Sequence, residues 1–234
     1  MNHKRDLLAL ALDNVTSSEQ IANLINKTSE WIGVYKIGLE QFTRFGPSVL
    51  DLIRSADRKI FLDLKFHDIP NTVAKAVLSA CSLGVDYLTI HTQGGLDMMK
   101  AAAESAAKAP TPPRIIGVTL LTSLGTVALK NELCVEMDTG SFVKHLASLA
   151  VKAGIDGIVC SAADLSIVKP SLPRNFQIIT PGIRPAGAEI GDQLRVATPK
   201  AAIEGGATLL VIGRPITGAE DPGRAAEMIL REIT

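Results

Sequence analysis

The sequence predicts an α/β protein folded as a single (βα)8 TIM barrel with parallel strands. Eight short apolar runs alternate with longer helix-patterned stretches along the chain, which is the pattern of successive βα units. The 234 residues supply roughly 29 residues per unit, a length that suits a compact barrel. A Pro-rich segment at 109–114 is short enough to be a connection, so residues 1–234 are assigned to one domain.

The strands are assigned in chain order from the apolar runs. Each run is short and largely apolar, as expected of strands that are buried on both faces of a parallel sheet. The predicted strands span residues 7–12, 33–37, 59–64, 87–90, 114–119, 157–160, 177–180 and 208–212.

The helices are assigned from apolar periodicity and from capping residues. They span residues 18–28, 71–83, 96–108, 141–153 and 223–233. Ser17 and Ser18 supply polar side chains at the start of the first helix, and Asn71 and Thr72 open the second after Pro70.

Two turns repeat the same local pattern. At 83–87 and 153–157, a Gly stands just past a helix and leads into the next strand.

Alternation of elements cannot show whether a sheet closes, so a doubly wound open sheet remains an alternative. No GxGxxG motif follows the first strand, however, which disfavours the dinucleotide-binding version of that fold.

Composition excludes several classes of protein. The 24 basic and 24 acidic residues give zero net charge, which argues against a nucleic-acid or anionic-membrane surface. A hydrophobic content of 47% excludes a disordered chain. The apolar run near the N-terminus stops at Asp13, too early for a secretion signal, and no stretch is long enough to span a membrane. We expect a cytoplasmic protein.

Metal and disulfide chemistry find no support in the spacing of residues. Cys81, Cys134 and Cys160 are far apart and form no CxxC pair. No group of His, Cys or carboxylate residues has the spacing of metal ligands, and no Ser or Cys has an evident base partner.

Polar residues at the ends of the predicted strands are the candidates for function, because barrels place their active sites at the C-terminal ends of the strands. Those side chains would converge on one mouth of the barrel. The candidates are Asp13, Lys36, Asp63, Lys65, His91, Thr122, Ser123, Pro181, Arg184, Gly213 and Arg214.

The segment DLKFHDIPNT at 63–72 is the densest of these candidates. Asp63 and Lys65 are two residues apart on a strand, so both side chains should face the barrel interior. With Asp68 in the loop and Lys36 on the neighbouring strand, they would form a neutral array of alternating charge, suited to stabilising negative charge on carbon. The alternative is a salt-bridge network that only closes the barrel end, although desolvation makes such burial unfavourable.

A phosphate site is predicted where the Gly-rich stretch 181–193 faces Gly213 and Arg214. Open backbone amides and a guanidinium group bind phosphate well, and barrels often hold phosphate after strands seven and eight. The alternative is an ordinary surface loop, for which Gly and Pro alone would suffice.

The histidines receive lesser roles. His91 is interpreted as a hydrogen-bonded wall residue, and His67, whose strand parity differs from that of its charged neighbours, as a support. His3 and His145 are expected on the surface.

These motifs resemble the orotidine 5'-phosphate decarboxylase family over nearly the whole chain. The segment at 63–72 is highly specific, and the others gain weight from their order. The matching motifs are LALD (10–13), YKIG (35–38), DLKFHDIPNT (63–72), TLLTS (119–123), TPGIR (180–184) and VIGRPI (211–216).

The resemblance implies a role for each charged residue in converting orotidine 5'-monophosphate to UMP in pyrimidine biosynthesis. Asp13 and Lys36 would contact the ribose hydroxyls, with Lys36 also part of the charged array. Asp63 would lie beside the substrate carboxylate. Lys65 would donate the proton that replaces carbon dioxide.

The resemblance also implies a homodimer with shared active sites. Asp68 and Thr72 would reach into the site of the partner subunit, while Thr122 and Ser123 would lie at the pyrimidine. The family uses no metal or organic cofactor, and none is expected here.

The phosphate of the nucleotide would be held at the other end of the site. The residues implied are Pro181, Arg184, Gln193, Gly213 and Arg214, with Gln193 on a closing loop.

Two rival functions are considered. A sugar-phosphate decarboxylase or aldolase of a related barrel also has a DxKxxD pattern but employs magnesium and should offer an acidic ligand on strand two, where this chain has Lys36. A silent phosphate-binding barrel should have lost a charged partner, and none is lost.

Overall fold

The computed structural model describes residues 2–185 and 197–233. All pairings between neighbouring strands are parallel, and β8 pairs with β1 to close an eight-stranded barrel in sequence order. The predicted (βα)8 barrel is therefore confirmed, and the open-sheet alternative is wrong. The strands are β1 Leu8–Ala11, β2 Val34–Gly38, β3 Lys59–Phe66, β4 Tyr87–His91, β5 Arg114–Val118, β6 Gly157–Val159, β7 Gln177–Thr180 and β8 Leu209–Ile212.

Helices connect the strands. The five predicted helices are present, the first with the predicted bounds 18–28 and the other four with ends shifted by one or two residues, while the remaining helices are too short to show apolar periodicity in the sequence. The α-helices are α1 Asn2–Arg5, α2 Ser18–Thr28, α3 Leu39–Phe45, α4 Val49–Ser55, α5 Pro70–Cys81, α6 Gly95–Ala106, α7 Thr126–Asn131, α8 Thr139–Ala153, α9 Leu165–Val168, α10 Pro199–Glu204, α11 Arg214–Thr217 and α12 Pro222–Glu232. Short 3-10 turns span Gly46–Ser48, Thr92–Gly94, Ala162–Asp164 and Lys169–Ser171.

Helix starts agree only partly with the sequence prediction. Ser17 is the N-cap of α2, and its side chain accepts a hydrogen bond from the Gln20 N–H, as predicted. The prediction that Asn71 opens α5 is wrong, because Pro70 is already helical and Ile69 is the cap residue. Proline fits this first position because its missing N–H would have had no helical partner.

The barrel interior is a small apolar cluster, separate from the larger core shared by strands and helices. Phe61 faces inward and Leu62 faces outward, which is the alternation expected of consecutive strand residues. The interior cluster consists of Ala9, Ala11, Val34, Phe61, Tyr87, Ile116, Ile179, Leu209 and Val211, with Val159 packed against it.

Aspartates close the N-terminal end of the barrel. Asp86 directly precedes β4, and its Oδ2 accepts a hydrogen bond of 2.8 Å from the Ile60 N–H at the start of β3. Asp156 makes the same contact from the start of β6 to β5, also at 2.8 Å. These contacts give a physical reason for the repeated turns at 83–87 and 153–157, because each turn delivers an acceptor to an open backbone N–H.

Among residues 2–185 and 197–233, no helix has the length and apolar character needed to cross a bilayer. The assignment of residues 1–234 to one domain stays a prediction.

Candidate active site

A cavity of about 490 Å³ opens at the C-terminal ends of the strands. Its walls are charged near β1 to β3 and largely apolar near β5 to β7. The lining residues are Ala11, Asp13, Asn14, Lys36, Phe61, Asp63, Lys65, Val118, Leu120, Leu121, Thr122, Val159, Cys160, Ile179, Pro181, Gly182, Arg184, Val211, Gly213 and Arg214.

A continuous chain of ion pairs runs along one side of this cavity. The Lys36 Nζ lies 3.1 Å from Asp13 Oδ1 and 3.4 Å from Asp63 Oδ2. The Lys65 Nζ lies 2.9 Å from the same Asp63 Oδ2. The sequence predicted Asp68 as the fourth member of this array, but within one chain Asp13 takes that place. Strand register explains the result, since Ala11 pairs with Lys36 and brings the loop after β1 next to β2.

Burial and charge act in opposite directions on the two most buried members of the array. Desolvation raises the pKa of the Asp63 carboxyl, but the Lys36 and Lys65 ammonium groups, aided by hydrogen bonds, outweigh it and hold that pKa below its ordinary value. Desolvation lowers the pKa of Lys36, but Asp63 and Asp13 outweigh it, so the pKa of Lys36 is raised. Both groups therefore stay charged at neutral pH.

The β3 strand is irregular where it carries the array. Leu62 pairs with Leu88 and Phe66 with Ile90, so β3 advances four residues while β4 advances two. Lys65 has a φ of +50°, a left-handed conformation that is uncommon for a residue with a side chain. The prediction that Lys65 shares a face with Asp63 is right, but the regular strand on which it relied is wrong, because a bulge turns Lys65 inward.

Helix α3 and the end of β2 hold the loop that carries Asp13. The Glu40 carboxylate accepts a hydrogen bond from the Asn14 N–H at 3.1 Å. Gly38 ends β2 beside the array, where an added Cβ would lie 3.1 Å from both Asp13 Oδ1 and Lys36 Nζ. The absence of a side chain at Gly38 thus leaves room for the Asp13–Lys36 pair.

The predicted phosphate residues line the same cavity as the array. Pro181, Arg184, Gly213 and Arg214 all contribute to its wall. Gly182, which also lines the cavity, has a φ of +76°, a backbone conformation that favours glycine. Gln193 and most of the loop predicted to close over the site lie outside the described residues.

Comparison with known proteins decides the family. A sequence profile described as "Orotidine 5'-phosphate decarboxylase / HUMPS family" matches residues 6–229. The chain belongs to this family.

Individual relatives match the sequence of this chain over nearly their full length. The chain is 46% identical to the orotidine 5'-phosphate decarboxylase of Shewanella sediminis, over 100% of this chain and 99% of that protein. It is 44% identical to that of Syntrophotalea carbinolica, over 98% and 95% respectively. The crystal structure of the enzyme from Lactobacillus acidophilus superposes with a TM-score of 0.85 at 35% identity, covering 97% of this chain and 98% of that one. The family resemblance and the expectation of an enzyme, a carboxy-lyase, are confirmed.

Three residues that the orotidine 5'-phosphate decarboxylase resemblance assigned to a site do not line the cavity of their own chain. Asp68 and Thr72 are exposed, and Asp68 Oδ1 accepts a hydrogen bond of 2.7 Å from the Ile69 N–H. Ser123 is also exposed, whereas its neighbour Thr122 lines the cavity.

The histidines fit their predicted roles only in part. His91 is not hydrogen-bonded as expected, because its buried Nδ1 has no partner among the described residues. Instead its ring lies 5.3 Å from that of His67, which is exposed. Burial, together with His67 and Lys65, lowers the pKa of His91 despite Asp63 nearby. His145 is exposed as predicted, and the side chain of His3 lies outside the described residues.

The apolar wall of the cavity was missed in the sequence, where only polar residues at strand ends were considered. Val118, Val159 and Ile179 form this wall together with Leu120 and Leu121. Their inward parity on β5, β6 and β7 could have identified the first three. Within the described parts of the chain, no group of three or more His, Cys, Asp or Glu residues is arranged to hold a metal ion.

Proposed function

We propose that this chain decarboxylates orotidine 5'-monophosphate to UMP in pyrimidine biosynthesis, without a metal ion or an organic cofactor. The observation that carries the proposal is the Asp13–Lys36–Asp63–Lys65 chain of ion pairs, with contacts of 3.1, 3.4 and 2.9 Å. It lines a cavity that also contains Arg184 and Arg214. The reaction requires fixed charges near the reacting carbon and cationic groups that bind the phosphate, and this cavity has residues of both kinds.

Lys65 is the proton donor in this proposal. When the bond between the ring carbon and the carboxylate breaks, carbon dioxide leaves and the electron pair stays on the ring carbon. An ammonium group fixed beside that carbon stabilises the developing negative charge more than it stabilises the substrate. Lys65 Nζ, held at 2.9 Å from Asp63, then transfers its proton to the carbon.

Asp63 and Lys36 prepare the site before substrate arrives. Asp63 lies beside the substrate carboxylate and fixes both ammonium groups, since its Oδ2 contacts Lys65 and Lys36. Charges that are already oriented need no rearrangement during the reaction, which is the main source of electrostatic catalysis. Asp13, whose side chain is 46% exposed, and Lys36 contact the ribose hydroxyls.

The two ends of the nucleotide, the pyrimidine and the phosphate, are assigned to two different groups of residues. Thr122 and Ser123 contact the pyrimidine, although Ser123 would have to turn inward to do so. Phosphate binding far from the reacting carbon contributes energy that can favour closure of the site. The residues assigned to phosphate are Pro181, Arg184, Gln193, Gly213 and Arg214.

The enzyme acts as a cytoplasmic homodimer with shared sites. The support is that Asp68 and Thr72 are exposed and do not line the cavity of their own chain. Ile69, directly after Asp68, is 66% exposed and so offers an apolar side chain for contact with a partner at this surface. Each subunit would lend Asp68 and Thr72 to the other in a reciprocal contact.

The test is to offer the purified chain two substrates of different class. With orotidine 5'-monophosphate we expect UMP and carbon dioxide in equal amounts, identified by chromatography and gas release. With a keto-sugar phosphate and Mg²⁺ we expect no conversion. Conversion of the sugar phosphate without formation of UMP would contradict the proposal and favour the rival function in this family.

A further inference from the structure

Thr89 lies in the middle of β4 and contacts Asp63 and Lys65, two neighbouring members of the array. Its side chain is fully buried, with 0% exposure. Its Oγ1 accepts a hydrogen bond of 2.9 Å from the Lys65 backbone N–H and donates one of 2.9 Å to Asp63 Oδ1. A single hydroxyl group therefore joins the backbone of one residue to the carboxylate of the other.

The first of these contacts supports the bulge in β3. Because β3 advances four residues while β4 advances two, the strand ladder is interrupted between Leu62 and Phe66. The Lys65 N–H lies within this interruption and is bound by the Thr89 hydroxyl instead of a strand carbonyl. Lys65 also has a φ of +50°, a conformation that persists only where the surroundings hold it.

The second contact sets the rotation of the Asp63 carboxylate. Thr89 occupies Oδ1, which leaves Oδ2 directed at Lys65 Nζ at 2.9 Å and Lys36 Nζ at 3.4 Å. A hydroxyl has one hydrogen to donate, so donation to Asp63 leaves its lone pairs for the Lys65 N–H. Both contacts are therefore satisfied by one orientation of the hydroxyl.

We propose that Thr89 is a positioning residue, whose hydroxyl holds Lys65 and Asp63 in the arrangement that the reaction uses. Thr89 does not line the cavity and would not touch the substrate. It acts through Lys65 and Asp63, and the inference rests on the proposed function for its kinetic consequences.

The kinetic test compares Thr89→Val, which keeps the shape and removes the hydroxyl, with Thr89→Ser, which keeps the hydroxyl. A displaced catalytic group can reduce rate by up to about a hundredfold, so we expect kcat of Thr89→Val to fall roughly ten- to a hundredfold. KM should change less than kcat, and Thr89→Ser should recover most of the loss. Unchanged kcat in Thr89→Val, or equal loss in both variants, would overturn the proposal.

Thr92→Val is the matched control. Thr92 is also fully buried near the end of β4, and its hydroxyl donates a hydrogen bond of 2.9 Å to the Val118 carbonyl, away from the array. Loss of the Thr92 hydroxyl should reduce thermal stability without the fall in kcat that is expected for Thr89→Val. An equal fall in kcat would mean that any buried threonine here matters equally, and would overturn the proposal.

If Thr89→Val does not fold, Thr89→Ala removes the same hydroxyl without adding contacts and is judged by the same criteria.

A measurement that does not need activity separates this inference from the proposed function. Carboxyl carbon NMR should show a higher pKa for Asp63 in Thr89→Val than in wild type, because a hydrogen bond that favours the carboxylate is lost. The charged groups that face Asp63 are unchanged, namely Lys36, Lys65 and, beyond Lys36, Asp13, with His91 nearby. An unchanged Asp63 titration would overturn the inference, whereas a wild-type protein inactive on orotidine 5'-monophosphate would overturn only the proposed function.

Discussion

The Lys65 ammonium lies 2.9 Å from Asp63 Oδ2, and both residues lie within the irregular stretch of β3 between Leu62 and Phe66. The bulge turns Lys65 into the cavity with a left-handed backbone, and burial of Asp63 strengthens the attraction between them. An acid and its counter-charge are thus fixed before any ligand binds.

Arg214→Ala should mainly weaken binding of the nucleotide phosphate. Arg214 lines the cavity at the start of α11, directly after β8. Losing a charge-assisted contact of roughly 1.5–3 kcal/mol corresponds to about a ten- to hundredfold rise in KM. Steady-state kinetics measure this, and added phosphite should partly restore turnover of a substrate that lacks the phosphate. An unchanged kcat/KM would place the phosphate elsewhere.

Gly38→Ala should disturb the Asp13–Lys36 pair without unfolding the barrel. The new Cβ would lie 3.1 Å from both charged atoms, so one side chain must shift. An off-rotamer side chain costs about 0.5–1.5 kcal/mol, which predicts a roughly two- to tenfold loss in kcat/KM. Gly125→Ala is the control, because an added Cβ there meets nothing within 4 Å and its φ is not in the left-handed region. Equal kinetics for the two variants would show that space at Gly38 is not needed.

Mixed dimers test the shared site. Asp68→Ala and Lys65→Ala subunits should each be inactive alone, but a dimer of one of each would contain one site with both defects and one with neither. Activity should recover to about half that of a wild-type dimer, by counting sites under two-fold symmetry. Absence of recovery after verified subunit exchange would mean that Asp68 serves its own chain.

His91 should make the folded state less stable in mild acid. Its pKa is lowered in the fold, so the unfolded chain binds the proton more tightly, and stability present above about pH 6.5 is lost as pH falls through the folded pKa. The slope from this one group is at most about 1.4 kcal/mol per pH unit. Urea unfolding between pH 7 and 5 should show a weaker pH dependence for His91→Gln. An identical slope in the variant would contradict the prediction.

Sequence patterns predicted the barrel well because each strand is short and largely apolar and the strands alternate with helices along the whole chain. Sequence patterns could not predict the register, because register depends on how neighbouring strands pair. The sequence therefore predicts Asp68 as the fourth member of the charged array, whereas the structure has Asp13 in that position. The bulge at Lys65 is likewise a property of two strands together. Thr89 could have been noticed as a polar residue with the inward parity of Tyr87 and His91.

The central claim is that Lys65, held by Asp63, drives a decarboxylation that needs no metal. The most direct measurement is the absorbance change of orotidine 5'-monophosphate with EDTA-treated wild-type protein, Lys65→Ala and, as control, the exposed Lys75→Ala. The account predicts full turnover by the wild type and Lys75→Ala, and a kcat at least about a thousandfold lower for folded Lys65→Ala. Loss of wild-type turnover in EDTA, or a Lys65→Ala variant with more than about a tenth of wild-type kcat, would contradict it.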